Sequence, residues 1–351
     1  MSRPLSDFTI PELQALLKAW GEKPSHAQRM LRSFYNSGGE LAPDLRLSVE
    51  IQRRLETELP LLSTTIVRRS VSSDGTIKLL VGLHDGKSVE AVLMTTAHAD
   101  RAAGCVSSQV GCAMGCDFCA STRRGFERNL TVSEIVEQFL HLRREALASG
   151  RRLATLVFMG MGEPLLNYDN VIEAIRRIAG GDLGDLGGKQ ISVSTVGIVP
   201  AMYQLADANL NLTLAVSLHA PDDATRAKIV PMNRRYRVDE IMAATRNYYE
   251  KTGRITNIEY CLLDGVNDSD EHARTLVALL DGFRTHVNLI PYNAIGAGVS
   301  GVVYRQPPRD RMESFLRILR ESGVAAHFRQ TRGDDVNAAC GQLRETALRE
   351  S

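Results

Sequence analysis

Residues 106–119 read Val106-Ser-Ser-Gln-Val-Gly-Cys112-Ala-Met-Gly-Cys116-Asp-Phe-Cys119, a short apolar run followed by three cysteines within eight residues. Beyond them, apolar runs of strand length alternate with amphipathic helical segments. With 106–110 as the first, the runs are 153–158, 191–195, 212–217, 258–263 and 287–290. Such runs suit a parallel sheet buried under helices. Six units are fewer than the eight of a closed barrel, so the sequence favours an α/β fold with a partial (β/α)6 barrel. A doubly wound sheet is the alternative.

Three helices of this alternation have clear start signals. Thr131 and Glu134 form a capping-box pattern, Asp169 is predicted to cap a helix over 171–179 that ends at Gly180, and Ser269 precedes a helix over 271–280. In parallel α/β sheets, ligands bind at the carboxyl ends of the strands. The segments that follow the strands are therefore the candidate site.

The chain upstream of the barrel divides into two parts. Residues 1–60 are helix-patterned, at 10–20 and 27–35, and predict a small accessory domain. Residues 61–97 are β-rich, with strands at 64–67, 76–81 and 88–93 separated by Asp74-Gly75 and Asp85-Gly86, which indicate hairpins. The remaining boundaries are a core domain over 98–343 and a tail over 344–351.

Composition excludes several classes of protein. The chain has 351 residues, 42 Lys+Arg against 41 Asp+Glu and a formal net charge of +1, which argue against a disordered tail and against a broad basic field that would recruit nucleic acid. The first residues lack a signal-peptide core, and no uncharged stretch approaches the length of a membrane span. We therefore expect a cytoplasmic protein with no membrane partner.

The six cysteines lie at 105, 112, 116, 119, 261 and 340. Cys112, Cys116 and Cys119 can hold three corners of a four-iron, four-sulfur (4Fe-4S) cluster and leave the fourth iron open to a substrate. A structural zinc site is an alternative, with Cys105 or His98 as fourth ligand. A group of merely buried cysteines is the least favoured interpretation. Cys261 matches no motif and is assigned to the core.

The cysteine cluster is accompanied by several longer motifs along the chain. They are CVSSQVGC at 105–112, GFERNL at 125–130, FMGMGEPL at 158–165, AVSLHAP at 215–221 and TRGDDVNAACGQL at 331–343, with GEKP at 21–24. Together they resemble the RlmN/Cfr family of radical S-adenosylmethionine (SAM) adenine methyltransferases, over nearly the whole chain. The resemblance implies a radical SAM barrel with a catalytic cysteine loop near its C-terminus, one 4Fe-4S cluster on Cys112, Cys116 and Cys119, and two SAM molecules consumed per methylation.

The resemblance also implies a reaction, methylation of adenine C2 in 23S rRNA and possibly in tRNA. By this likeness Cys340 carries the methyl group as S-methylcysteine, and Cys105 resolves the protein–RNA adduct through a transient disulfide. Glu90 matches the carboxylate that accepts the ring proton, although it lies fifteen residues before Cys105, about two more than the family pattern. The candidate SAM-binding residues are Gly162, Glu163, Ser194, Ser217, Leu218, His219 and Asn293.

Expected partners follow from the same likeness. They are 23S rRNA or tRNA and an electron donor such as flavodoxin or ferredoxin, and we expect the protein to be a monomer whose N-terminal domain contacts RNA. Candidate phosphate contacts are Arg123, Arg124, Arg128, Arg234, Arg235, Arg237, Arg329 and Arg332, although solvated faces would explain at least half of them.

Two positions depart from the common pattern, Val196 in Ser194-Thr-Val-Gly197 and Ala294 after Asn293, and the loop 295–308 is irregular. They leave open an adenine C8 methyltransferase, as in Cfr, or a paralogue with another RNA target. From another class, a zinc-stabilised RNA-binding module without catalysis remains open.

Overall fold

The computed structural model describes residues 3–181 and 183–343; the tail proposed for 344–351 lies outside the described residues. The helices are α1 (Ile10–Ala19), α2 (His26–Asn36), α3 (Val49–Thr57), α4 (Val132–Ala148), α5 (Tyr168–Ala179), α6 (Val199–Asp207), α7 (Asp223–Ile229), α8 (Val238–Thr252), α9 (Asp270–Leu280) and α10 (Arg309–Glu321). None of these helices combines the length and the apolar character needed to cross a membrane.

The strands are β1 (Thr65–Val71), β2 (Ile77–Gly82), β3 (Ser88–Thr95), β4 (Arg101–Cys105), β5 (Gln109–Gly111), β6 (Phe126–Asn129), β7 (Arg152–Phe158), β8 (Ile191–Thr195), β9 (Thr213–Ser217), β10 (Thr256–Leu262), β11 (Thr285–Pro291) and β12 (Ala325–Phe328). Ten of them form one sheet in the order β1-β2-β3-β4-β7-β8-β9-β10-β11-β12, and β5 pairs with β6 separately.

The parallel part of the sheet is the expected open barrel. Every neighbouring pair from β4 to β12 is parallel, and β7 to β11 coincide with the predicted runs. A seventh parallel strand, β12, and the helix α10 before it were not predicted. β1, β2 and β3 pair antiparallel, and β3 pairs antiparallel with β4, so the expected hairpin segment continues the barrel sheet.

The predicted first strand, 106–110, is wrong; the strand is β4, Arg101–Cys105. β4 contains mostly small residues, which weakens its apolar signal. The small residues are needed because α4 packs closely on the strand: a Cβ on Gly104 would lie 3.1 Å from Leu142 of α4 and 3.0 Å from Leu156. After Cys105 the chain leaves the sheet, and the Ser108 and Gln109 amides donate to the Met161 carbonyl instead.

Two predicted helix caps are confirmed and one is wrong. The Thr131 and Ser269 hydroxyls accept hydrogen bonds from the Glu134 and His272 amides. Asp169 is not a cap, because α5 begins at Tyr168 and Asn167 precedes it. The Asn167 amide group makes no cap bond; it donates to the Ser108 and Leu130 carbonyls, 2.8 Å each.

A buried carboxylate on α4 ties the N-terminal segment to the barrel. Glu137 is fully buried and accepts hydrogen bonds from the Ser6 hydroxyl and from the Ser63 and Thr64 amides. Burial raises the pKa of Glu137, and these hydrogen bonds oppose the rise. The contact ties both ends of the segment that contains α1–α3 to helix α4.

Candidate active site

A cavity lies at the carboxyl ends of the parallel strands. It encloses about 920 Å³ including its open mouth. The predicted site residues that line it are Cys112, Cys116, Cys119, Gly162, Glu163, Ser194, Ser217, His219 and Cys340. The structure does not bring Cys105, Glu90, Leu218 or Asn293 to its wall.

The cysteine loop is held by main-chain bonds on both sides. The Cys112 amide donates to the Gly125 carbonyl at 2.9 Å, and the Asp117 amide donates to the Ile229 carbonyl at 2.9 Å. The Thr122 hydroxyl donates to the Cys116 carbonyl at 3.1 Å. The loop is therefore fixed independently of any bound group.

The three thiols fit an iron–sulfur cluster by their chemistry. Burial raises the pKa of Cys112 to about 12, raises the pKa of Cys116 well above the ordinary thiol range, and raises that of Cys119. A buried thiol ionises when a metal cation compensates its charge. Three such thiols facing one open cavity match a 4Fe-4S cluster bound at three corners.

A zinc site fits less well. Across residues 3–181 and 183–343, no group of three or more His, Cys, Asp or Glu side chains surrounds a position for a single metal ion. His98, one of the two proposed fourth ligands, is exposed. The other, Cys105, does not line the cavity.

Asp117, between two cluster-loop cysteines, pins the irregular loop after β11. Its carboxylate accepts from the Ser300 amide at 2.7 Å, from the Ser300 hydroxyl and from the Tyr304 hydroxyl at 2.8 Å. Burial opposes ionisation, but these bonds lower the pKa of Asp117. Gly298 packs so closely that a Cβ there would lie 2.3 Å from the Asp117 carbonyl oxygen. The irregular loop is thus part of the support of the cysteine loop.

Glu163 lines the same cavity as the cluster-loop cysteines. Its carboxylate accepts from the Leu165 amide at 3.0 Å and the Val196 amide at 2.9 Å. Burial raises the pKa of Glu163 to about 7. A buried carboxylate of this kind gains a partner when an ammonium group enters the cavity, which fits the methionine end of SAM.

The motif CVSSQVGC builds the support of Glu163, a role that sequence analysis missed. The Gln109 side-chain oxygen accepts from the Glu163 amide at 2.8 Å, and the Ser107 hydroxyl accepts from the Met161 amide at 2.9 Å. Gly162 has φ +99°, and a Cβ there would lie 2.6 Å from Gln109. Only glycine fits this close approach.

Polar groups of β8, β9 and β10 form the cavity floor. The Ser194 and Ser217 hydroxyls are 3.1 Å apart and share a hydrogen bond. His219 adopts a left-handed backbone conformation with φ 59°, and its Nδ1 accepts from the Cys261 amide at 3.0 Å. Burial lowers the pKa of His219 to about 3, so its ring is neutral and its Nε2–H is a donor.

Arg226, which sequence analysis did not identify, joins the loops beneath this floor. It is fully buried, and its guanidinium donates to the carbonyls of Val196, Leu218 and Ser217 and to the Asn233 side-chain oxygen. Burial lowers the pKa of Arg226 to about 10, so it stays charged at neutral pH. Leu218 is fully buried, and its carbonyl belongs to this support rather than to the cavity wall.

The two outlying cysteines lie near each other, and one of them lines the cavity. Cys340 lies on its wall; the Asn293 side-chain amide donates to the Cys340 carbonyl at 3.1 Å, and the Ala120 amide donates to the Gly341 carbonyl at 2.7 Å. Asn293 therefore positions the Cys340 loop. Cys105 ends β4 and does not line the cavity. Burial raises its pKa to about 12, the charge of Cys340 acts in the same direction, and the charge of Arg329 lowers it.

Glu90 lies on β3, next to β4. Val92 is opposite Cys105 in the β3–β4 register, and side chains two residues apart on a strand share a face. Glu90 and Cys105 therefore point to the same face of the sheet. Glu90 is 2% exposed and forms an ion pair with Lys78, 3.0 Å from Nζ to Oε1.

Comparison with known proteins agrees with this site. Residues 106–277 match the family model for the radical SAM superfamily. The chain is 52% identical to the probable dual-specificity RNA methyltransferase RlmN 1 of Opitutus terrae, over 98% of this chain and 97% of that protein. It is 42% identical to the probable dual-specificity RNA methyltransferase RlmN of Gloeobacter violaceus, over 99% of this chain and 97% of that protein. The chain belongs to the RlmN family.

A solved structure supports the same assignment. The crystal structure of a radical SAM methyltransferase from Sphaerobacter thermophilus matches with a TM-score of 0.91 and 43% identity, over 97% of this chain and 99% of that one. As an RlmN-family member of the radical SAM superfamily, this protein is an enzyme that uses a 4Fe-4S cluster and SAM. The donor set described above is consistent with both.

The structure confirms and extends one expectation for this RlmN-family chain and corrects another. Cys261 is buried in the core, as expected, and it also lines the cavity. Arg329, grouped with surface arginines, also lines it and forms an ion pair with Glu259. Neither place on the cavity wall was visible from sequence, because both depend on how β10 and the segment after β12 meet.

Proposed function

We propose that this protein methylates adenine C2 in 23S rRNA, and in tRNA, by way of an S-methylcysteine at Cys340. The relatives named above are dual-specificity RNA methyltransferases. The observation that carries the proposal is the joint placement of Cys340 on the cavity wall with the three cluster-loop thiols.

The chemistry explains why a cysteine carrier is needed. The carbon between two adenine ring nitrogens is electrophilic, and so is the methyl group of SAM, so direct polar transfer has no nucleophile. When bound, the cluster and SAM supply the methyl group and the one-electron chemistry that removes a hydrogen atom from it. The chain supplies the sulfur that carries the carbon, the site for the base and the means of release.

Three residues carry out the chain's part. The Cys340 sulfur takes the methyl group, and the methyl carbon then bonds to adenine C2. Glu90 accepts the proton that leaves C2. Cys105 loses its proton and attacks the Cys340 sulfur, so that a disulfide forms as the sulfur–carbon bond breaks. The methylene carbon keeps the electron pair of that bond and takes up a proton, so the base is released with a methyl group. A cellular thiol reductant then supplies two electrons and two protons that restore both thiols.

Burial of the Cys105 thiol delays the release step. With its pKa raised to about 12, the Cys105 thiol stays protonated and is a poor nucleophile at neutral pH. The ion-paired Glu90 carboxylate lies on the same face of the sheet as Cys105. Deprotonation of Cys105 therefore depends on neighbouring groups rather than on solvent, which protects the Cys340 carrier from premature attack.

Fewer arginines remain as proposed RNA contacts, because protein groups already bind several of the candidates. Arg128 is engaged by Asp85 and Glu134, and Arg237 by Asp223. Arg123 donates to the carbonyls of residues 295 and 297. The exposed Arg234 and Arg235 and the half-buried Arg332 suit phosphate contacts. We further propose residues 1–60 as an RNA-contacting domain, a monomeric state, a cytoplasmic location, and flavodoxin or ferredoxin as electron donor.

A C8 methyltransferase is the second candidate, favoured by Val196 on the cavity wall. Mass spectrometry of rRNA and tRNA from cells with and without the gene separates the two. The proposal predicts 2-methyladenosine that disappears on deletion. 8-Methyladenosine in its place would support the second candidate, and unchanged RNA would contradict both.

A further inference from the structure

Glu259 of β10 carries an unsatisfied oxygen inside the cavity. The residue is 2% exposed and lines the cavity. Its Oε1 accepts from the Asn288 side-chain amide at 2.7 Å, but Oε2 has no hydrogen-bond partner. Among the described residues with such an orphaned side-chain atom, Glu259 alone lines the cavity. A buried carboxylate oxygen without a donor is costly, so a ligand that supplies one is expected.

Arg329 lies next to this oxygen. Its Nη1 is 3.6 Å from Glu259 Oε2, close enough for an ion pair and too far for a hydrogen bond. Nη1 also lies 3.2 Å from the Met159 sulfur, and the Arg329 amide donates to the Leu289 carbonyl. The pair is thus held in place with an acceptor and a donor side by side.

The pair also lies close to the reacting cysteines. The charges of Cys340, then of Glu259 and Cys105, raise the pKa of Arg329, while burial opposes the rise. A base that bonds to the carbon on Cys340 must enter the cavity that Cys340, Glu259 and Arg329 line together.

We propose that Glu259 and Arg329 recognise the target base as adenine, with Glu259 Oε2 accepting a hydrogen bond from the exocyclic amino group and Arg329 donating to the adjacent ring nitrogen. Adenine presents this donor–acceptor pair on two of its edges, whereas guanine has an acceptor oxygen in place of the amino group. The inference rests on the proposed function, because it assumes an RNA base in the cavity.

The test combines a protein substitution with a substrate substitution. RNA stem-loops carry either adenosine or purine riboside, which lacks the amino group, at the target position. The wild type is expected to favour adenosine by roughly 10- to 100-fold in the rate constant for methyl transfer, because removing the donor leaves a buried charged acceptor unpaired. Any intrinsic difference in reactivity cancels when this ratio is compared between enzyme variants.

Glu259→Gln is the decisive variant. Since the Asn288 amide donates to Oε1, the glutamine must turn its oxygen to Asn288 and its amino group to the cavity. The preference for adenosine over purine riboside should then fall at least tenfold. Glu259→Asp, which keeps an acceptor one methylene farther back, should lie between. Tyr260→Phe is the control, because Tyr260 lies next to Glu259 on β10. This substitution removes the hydrogen bond from the Tyr260 hydroxyl to the Asn267 carbonyl and should leave the preference for adenosine intact.

A second measurement tests whether Glu259 binds SAM instead of the RNA base. It follows the SAM-dependent methylation of Cys340 in the absence of RNA by mass spectrometry. The inference expects SAM affinity and Cys340 methylation in Glu259→Gln to match the wild type. Loss of either with an unchanged adenosine preference would assign Oε2 to the cofactor and overturn the inference. So would a wild type that does not distinguish the two RNAs. A wild type that methylates neither RNA while methylating Cys340 would overturn the proposed RNA target itself.

Discussion

Replacing Arg226 with lysine tests whether the cavity floor depends on one buried guanidinium. The guanidinium donates four hydrogen bonds, three of them to carbonyls of the loops that follow β8 and β9. A lysine ammonium cannot span these positions and loses at least two of the bonds. At roughly 1.5 kcal/mol for each buried acceptor left unpaired, the free energy of unfolding should fall by about 3 kcal/mol.

The expected shift in melting temperature follows from chain length. An unfolding entropy of about 2.1 cal/mol/K per residue over 351 residues gives about 0.74 kcal/mol/K, so 3 kcal/mol corresponds to about 4 °C. The displaced carbonyls also border Ser217, so SAM affinity should fall by about tenfold, or about 1.4 kcal/mol.

The assay compares cluster-loaded wild type, Arg226→Lys and Arg237→Lys by thermal unfolding and SAM calorimetry under argon. The Arg237 side chain is 68% exposed, and its substitution should change the free energy of unfolding by less than about 0.5 kcal/mol. An Arg226→Lys protein that melts within 1 °C of the wild type, as roughly expected of a surface change, and binds SAM equally well would refute the structural role of Arg226.

Four further outcomes are expected. Cys105→Ala should trap a covalent RNA–protein adduct on Cys340, visible by denaturing electrophoresis, and active enzyme without adduct would contradict the release step. Glu90→Gln should lower RNA methylation at least tenfold, roughly the low end for a lost proton acceptor, with Cys340 methylation retained; equal loss of both would exclude a role confined to the base. Burial raises the pKa of Glu163 from 4.5 to about 7, so between these pH values the native state holds a proton that the unfolded state has released. The contribution of Glu163 to stability is therefore full below pH 4.5 and is lost as the pH rises through 7. SAM affinity should rise over the same pH range, and calorimetry on Glu163→Gln should show neither pH dependence. Asp117→Ala removes the acceptor for Ser300 and Tyr304, and should increase protease cleavage within 297–303 and lower bound iron relative to the exposed-site control Asp239→Ala; unchanged cleavage would contradict the pinning of the loop.

The sequence predicts the parts of this fold that repeat a local pattern. β7 to β11 are apolar runs of strand length, and the Thr131 and Ser269 caps lie within one turn of the amides they satisfy. β4 escaped prediction because Ala102, Ala103 and Gly104 are small to admit α4, a requirement imposed by residues about forty positions away. Asp169 was misjudged because the helix start is set by Asn167, whose side chain bonds to two distant carbonyls.

The residues of the candidate site also fall into those that a local sequence pattern identifies and those that it does not. The cluster cysteines, Cys340 and Glu163 belong to motifs, so they were identified from sequence. Arg226, Asp117 and Glu259 act through contacts between separate strands and loops, and no local pattern marks them. Arg329 was grouped by its charge with surface arginines, whereas its burial against Glu259 is a property of the assembled sheet.

The most direct test of transfer through Cys340 follows the methyl group of SAM into RNA. With SAM deuterated throughout its methyl group, we expect one deuterium to be exchanged for hydrogen, because a hydrogen atom is removed from the methyl carbon while it is attached to Cys340. The product adenosine, digested from rRNA and analysed by mass spectrometry, should therefore carry two of the three deuteriums at C2. A methyl group that arrives with all three deuteriums would contradict transfer through Cys340.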